Sequence, residues 1–182
     1  MFRLVTVEDT VRVPPNRFGE PIEDVVMDIL RKSYQGISDK DGMILAITEI
    51  KSIGTGRVIM GDGASYHDVV FTALIHRPEM NQLVEGEVVE IVEFGAFVRL
   101  GPVDALVHVS QVMDDFVGYD KGKRILYGKE SKRQLKEGDR VRARVLSASL
   151  KKGKGGKIGL TMRQPGLGKL EWIEEARKGE KK

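Results

Sequence analysis

Two different hydrophobic periods divide the chain. Phe2–Val13 (FRLVTVEDTVRV) is rich in β-branched residues and reads as a long strand, stopped by Pro14 and Pro15. Pro21 then stands where a helix can begin. Ile22, Val25, Val26, Ile29, Leu30 and Tyr34 follow at i, i+3, i+4, i+7, i+8 and i+12, one apolar face of a helix. Glu23, Asp24, Asp28, Arg31 and Lys32 fill the opposite surface, and Gly36 can end the helix in a left-handed conformation. Residues 43–53, 56–60 and 66–77 read as three further strands, with Gly54, Gly56, Gly61 and Gly63 in the turns and Pro78 as the stop. The expected order is β-α-β-β-β, an α+β domain with one helix on one sheet. In the last of these strands Val69, Phe71, Ala73 and Ile75 point to one side, and Val70, Thr72 and Leu74 to the other. Both sides are largely apolar, so the face without the helix needs either a partner or the neighbouring domain.

Beyond residue 80 only short strands are predicted: 84–92, 94–100, 103–108, 140–150 and 157–163. Five short strands with glycine turns fit an all-β, five-stranded OB-fold barrel. Residues 116–138 interrupt it as a basic excursion, within which Ile125, Leu126 and Tyr127 can extend a hairpin. A basic loop, 151–156, joins the last two strands, and 169–179 fits a short helix before a lysine-rich tail. The domains are therefore expected at 1–80 and 81–182.

Charge changes this picture more than composition does. The net charge is only +3, yet residues 116–182 hold 20 lysines and arginines against 8 acids, while residues 1–80 hold 9 against 12. A basic C-terminal third attracts phosphate chains, although a solvated basic surface with a loose tail has the same composition. The absence of cysteine excludes disulfides, thiolate metal sites and a cysteine nucleophile. No apolar run approaches membrane-spanning length, so no membrane partner is expected and the localisation is read as cytoplasmic.

The candidate chemistry lies in GEVVEIVEFGAFVRLGPVDALVHVS, residues 86–110. Phe94 and Phe97 flank Gly95-Ala96, and a glycine within a strand often marks a bend. Such a bend can turn both rings outward, with His108 beside them, as a stacking platform for unpaired bases; stacking is worth roughly 1–3 kcal/mol per base. Arg99, Arg142, Arg144, Lys151, Lys152, Lys154 and Lys157 are the candidate phosphate contacts. The spacing equally admits both rings as core residues and His108 as structural. The glycine pairs 54/56 and 61/63 lack the Lys-Ser/Thr of a phosphate loop. His67, His76 and His108 are not at metal-ligand spacing, and Asp114-Asp115 reads as an exposed loop. No catalytic group, metal or cofactor is expected.

Gly86-x-Val88, Phe94-Gly95-Ala96-Phe97-Val98 and Leu106-Val107-His108-Val109-Ser110 resemble the ribosomal S-one RNA-binding domain, an OB-fold. Glu137-Gly138-Asp139-x-Val141 and Ile158-x-Leu160-Thr161-Met162-Arg163 are similar to its closing strands. The resemblance implies that Phe94, Phe97 and His108 line an RNA face. Ser149 and Lys157 stand where that family usually has an acid and often has an arginine. Over its whole length the chain resembles the E-prime family of archaeal RNA polymerase subunits, counterparts of the seventh-largest subunit of eukaryotic RNA polymerase II. That resemblance rests on the acidic first half ending Ile75-His76-Arg77-Pro78, on the turns at Gly54, Gly56, Gly61 and Gly63, on Gly101-Pro102, and on the long insertion. It implies a non-catalytic stalk subunit whose first half docks on the polymerase core, with Gly54, Gly56, Gly61 and Gly63 in the docking turns. It also implies a heterodimer with a second small subunit, F, that binds the emerging single-stranded RNA transcript and assists promoter opening and elongation. An RNA-binding cap of an exosome-like degradation ring, or a metal-dependent RNA-processing enzyme, are the alternatives.

Overall fold

The computed structural model describes residues 1–39, 42–150 and 156–179, and the chain divides into two compact units, one ending at Arg77 and the other beginning at Pro78. The first unit contains β1 (Phe2–Val13), a 3-10 turn at Pro15–Arg17, α1 (Ile22–Tyr34), β2 (Ser38–Asp39), β3 (Gly42–Ile53), β4 (Arg57–Ile59) and β5 (Asp62–His76). They form one antiparallel sheet in the order β1-β5-β3-β2, with β4 also paired to β5. β1 and β5 pair without interruption from Phe2↔His76 to Val13↔Ser65.

Helix α1 covers one face because its periodic residues match the strands' alternation. Val25, Val26 and Leu30 are fully buried against Val69, Phe71 and Ala73 of β5. Tyr34 closes this core, its ring centroid 5.7 Å from that of Phe71 and its hydroxyl donating to the Asp9 carboxylate. Burial, and then that carboxylate, push the Tyr34 pKa up to about 12. Gly36 takes φ +82° immediately beyond the helix. The opposite face carries Val70, Thr72 and Leu74, together with the exposed Phe2 and Leu4.

β5 begins four residues before the expected 66–77, so Gly63 lies inside a strand and not in a turn. The early start has a visible cause. The Asp62 carboxylate accepts two bonds from the Arg12 guanidinium, at 2.8 and 2.7 Å, and one from the Tyr66 hydroxyl at 2.6 Å. Those contacts tie the first residue of β5 to the end of β1.

The second unit runs β6 (Leu83–Val92), β7 (Gly95–Arg99), β8 (Asp104–His108), a 3-10 turn at Val109–Gln111, β9 (Val117–Asp120), β10 (Ile125–Gly128), β11 (Gln134–Leu135), β12 (Arg140–Leu150), β13 (Gly156–Thr161), β14 (Gly168–Lys169) and α2 (Leu170–Gly179). β6, β7, β8, β13 and β12 close into a barrel, since β13 pairs with β8 in parallel and also with β12, which pairs with β6. The insertion makes its own sheet, ordered β11-β10-β9, around the fully buried Leu126 and Leu135. The hairpin expected at 125–127 thus gains a third strand, because Leu135 pairs with Leu126 across it.

Two glycines allow the barrel strands to approach. A Cβ on Gly86 would lie 2.4 Å from the Arg99 carbonyl oxygen, and one on Gly95 only 2.1 Å from that of Val107. Backbone cannot yield to such contacts without parting strands. Gly95→Ala should therefore destabilise the second unit by at least the roughly 1–3 kcal/mol typical of overpacking, read as a fall in thermal midpoint. An unchanged midpoint would contradict this account of the strand pairing.

Candidate nucleic-acid interface

Along β7 and β8 the side chains alternate. Ala96, Val98, Ala105 and Val107 face the barrel core and are buried, while Phe97, Arg99, Asp104, Leu106 and His108 face outward. The outward residues meet as cross-strand pairs: Gly95↔His108, Phe97↔Leu106 and Arg99↔Asp104. Phe94 precedes β7 and is 52% exposed, whereas Phe97 is half-buried. Their ring centroids are 6.3 Å apart with planes at 88°. The two rings are thus an edge-to-face pair, presenting differently oriented faces, and not a parallel clamp.

His108 is held by the turn that follows it. Its Nδ1 accepts from the Ser110 backbone N–H at 3.3 Å and lies 2.9 Å from the Ser110 hydroxyl. With Nδ1 used as an acceptor, the neutral ring carries its proton on Nε2, which remains a donor for a ligand. The backbone N–H of Val109 donates to the Phe94 carbonyl at 2.9 Å, tying the start of β7 to the end of β8. Arg99 forks onto Asp104, at 2.9 and 3.3 Å, across the same hairpin. An exposed pair of this kind contributes little and yields readily to a phosphate. On the next strand Gly159 pairs with Leu106, and the exposed Lys157 lies two residues before it on the same face.

Arg142 and Arg144 are engaged by protein contacts of their own. Both lie on β12, which pairs with β6 on one side and β13 on the other, and the outward residues of β6, Glu85, Glu87 and Glu90, are acidic and exposed. Arg142 pairs with its register partner Glu85 at 2.8 Å. Arg144 donates to the Gln164 side chain at 2.8 Å and to the Asn81 carbonyl at 3.0 Å. Charge density along the sequence says nothing of the acid, amide or carbonyl that each arginine meets in the fold. Lys151, Lys152 and Lys154 fall outside the described residues.

Gly54, Gly56 and Gly61 shape an exposed hairpin in the first unit. The His67 ring packs against the 54–56 turn, its Nδ1 3.0 Å from the Gly54 carbonyl oxygen, and a Cβ on Gly56 would come within 2.7 Å of that ring. Met60 and Gly61 connect Ile59 to its partner Asp62, with Gly61 at φ +89°. The consequence was not anticipated from the strand pattern: Val58, Ile59 and Met60 are exposed, Met60 completely. Three consecutive apolar residues bracketed by glycines were the available signal. Asp114 and Asp115 both make contacts within the protein, and those of Asp115 hold backbone. Asp114 pairs with Arg163, and Asp115 accepts the backbone N–H groups of Glu130 and Ser131 and the Ser131 hydroxyl.

The S1 RNA binding domain family matches residues 77–154, and the SHS2 domain found in the N terminus of Rpb7p/Rpc25p matches residues 8–63. The DNA-directed RNA polymerase subunit Rpo7 of Saccharolobus shibatae is 46% identical over 180 residues, covering 98% of this chain and 100% of that protein. Rpo7 of Sulfolobus acidocaldarius is 44% identical over 176 residues, 96% of each. The DNA-directed RNA polymerase II subunit RPB7 of Glycine max is 28% identical over 116 residues, 63% of this chain and 66% of that protein.

The bond from the Ser131 backbone, ahead of its hydroxyl, draws the Asp115 pKa below the ordinary carboxylate value of 3.8. The stabilisation is therefore complete above that value and is lost as pH falls through the depressed one. Asp115→Asn should lower the thermal midpoint near neutral pH, and the gap from the unsubstituted chain should close in acid. A gap independent of pH would refute the role assigned to this carboxylate.

Proposed function

We propose that this chain, which belongs to the Rpo7 family of DNA-directed RNA polymerase subunits, contributes no catalytic group to nucleotide addition and serves the polymerase as an RNA-guiding stalk. The observation that carries this reading is the outward face of Phe94, Phe97 and His108 on an S1-type barrel. Unpaired bases stack on the two rings, the Nε2–H of His108 donates to base or ribose, and Lys157 and Arg99 hold phosphates. This binding reads no sequence, as suits a transcript of any composition. The full-length relationship to Rpo7, spanning both units, favours this over the cap of a degradation ring. Asp114 pairs with Arg163 and Asp115 holds the backbone of Glu130 and Ser131, which weighs against these two carboxylates as a metal-dependent nuclease site.

Docking on the polymerase core falls to the hairpin of Val58, Ile59 and Met60. Exposed apolar residues at a turn held by its own glycines are suited to burial in a partner. The open sheet face, with Phe2, Leu4 and Leu74, is the surface offered to the second small subunit, F. The chain then acts in the compartment of the polymerase, the cytoplasm.

Phe94→Ala with Phe97→Ala should weaken binding of single-stranded RNA by more than tenfold, from roughly 1–3 kcal/mol per stacked base, with the melting curve unchanged. Unfolding of that variant would show the rings to be core and end the reading. Affinity should also fall steeply with salt. Met60→Asp with Ile59→Asp should abolish co-purification with the polymerase core while RNA affinity stays constant; retention of the core would reassign docking to another surface.

A further inference from the structure

We propose that the RNA path continues past His108 into a cavity beside helix α2, which receives a further nucleotide of the same strand. The inference rests on the RNA-binding reading above and extends it to a site formed by the insertion and the C-terminal helix.

Two concavities adjoin in the second unit. The first is a shallow bay lined by Ser110, the residue that holds His108, and by Phe116, which is 75% exposed; its carboxylates are engaged within the protein, Asp114 by Arg163 and Asp115 by the backbone of Glu130 and Ser131, and Glu130 stands at its edge. The second is a cavity of about 410 Å³ whose apolar lining includes Met113, Met162 and Leu167. Asp114 and Arg163 border both, so their ion pair forms the threshold between them. A strand leaving the Phe94 and Phe97 rings by way of His108 meets the bay next and the cavity after it.

The cavity has the chemistry of a nucleotide site. Arg133, Arg163 and Arg177 line it, against the single carboxylate of Asp114. Arg163 is matched by that acid. Among the described residues, Arg133 and Arg177 have no ion pair. Arg133 is held instead over the Trp172 ring, 5.6 Å from its centroid. A guanidinium fixed by an aromatic face, and not by a carboxylate, keeps its N–H fork for an anion. Trp172 is itself only 8% exposed and packs on Gly168, where a Cβ would come 3.0 Å from its Cε3. The indole is therefore a wall of the cavity and the anchor for Arg133. The base would rest on the methionines and Leu167, with its phosphate between Arg133 and Arg177. The volume lies within the range of small-ligand pockets.

Trp172 is the chain's one tryptophan, so its emission reports on this cavity alone. The full chain is titrated with oligouridylates of about 4 and about 12 nucleotides, within the span of OB-fold sites, following both anisotropy of labelled RNA and Trp172 emission. The longer oligomer should bind more tightly and shift the emission; the shorter should bind without shifting it. Arg177→Gln, at an exposed position in the last turn of α2, should remove the shift and cost the longer oligomer roughly tenfold in affinity, leaving the shorter unchanged. Arg140→Gln, the same charge change on β12, should affect both lengths alike. A longer oligomer that binds with unaltered emission, or an Arg177→Gln variant that weakens both lengths equally, overturns the cavity site while the aromatic face stands. Failure of both RNAs to bind overturns both.

Discussion

Strands β7 and β8 come together so closely at Gly95 that no side chain fits there: its Cβ would stand 2.1 Å from the Val107 carbonyl oxygen. That contact sets the register in which Gly95 faces His108 and Phe97 faces Leu106. It places Phe94 just outside the strand, where the Val109 N–H holds its carbonyl. The small buried Ala96 and Ala105 on the inward side let the same hairpin sit close to the barrel core. An aromatic face that would otherwise collapse inward is kept at the surface by backbone packing beneath it. A stacking platform needs this rigidity, because a ring free to bury itself gains more from the core than from a passing base.

Electrostatics give the barrel two unlike sides. β6 displays Glu85, Glu87 and Glu90 next to β7, and these acids engage or border the arginines of β12. On the other side of β7 stand β8 and β13, and β13 carries the exposed Lys157. The net charge of the unit is thus a poor guide to where nucleic acid lies. What counts is which basic groups lack an acidic neighbour, and among the described residues Arg133 and Arg177 have no ion pair.

The first unit is built on the opposite compromise. One face of its sheet is sealed by α1, and the other exposes Phe2 and Leu4, while the β4–β5 turn extends Val58, Ile59 and Met60 into solvent. A free domain gains nothing from such surfaces, whereas a component of a larger enzyme has a use for each. The family relationship to Rpo7 gives this arrangement its context.

Much of the architecture was legible in the residues. The strands around Phe71 and Val98, the helix carrying Val25 and Leu30, and the α+β and OB-fold classes follow from periods of two and 3.6, which are properties of local backbone geometry. The outward turn at Phe94 and Phe97 was not decidable from spacing, because the same pattern serves a core; the packing of β8 against Gly95 decided it. Arg142 and Arg144 looked like partners of those rings, and only the fold shows them engaged by Glu85, Gln164 and the Asn81 carbonyl. Met60 at its exposed turn, and the meeting of Arg133, Arg163 and Arg177 around Trp172, depend on residues far apart in the chain. Local periodicity is thus written into the sequence itself, since each side chain's direction follows from its own backbone. Neighbourhood between distant side chains exists only once the barrel closes and long-range pairing sets the order of its strands.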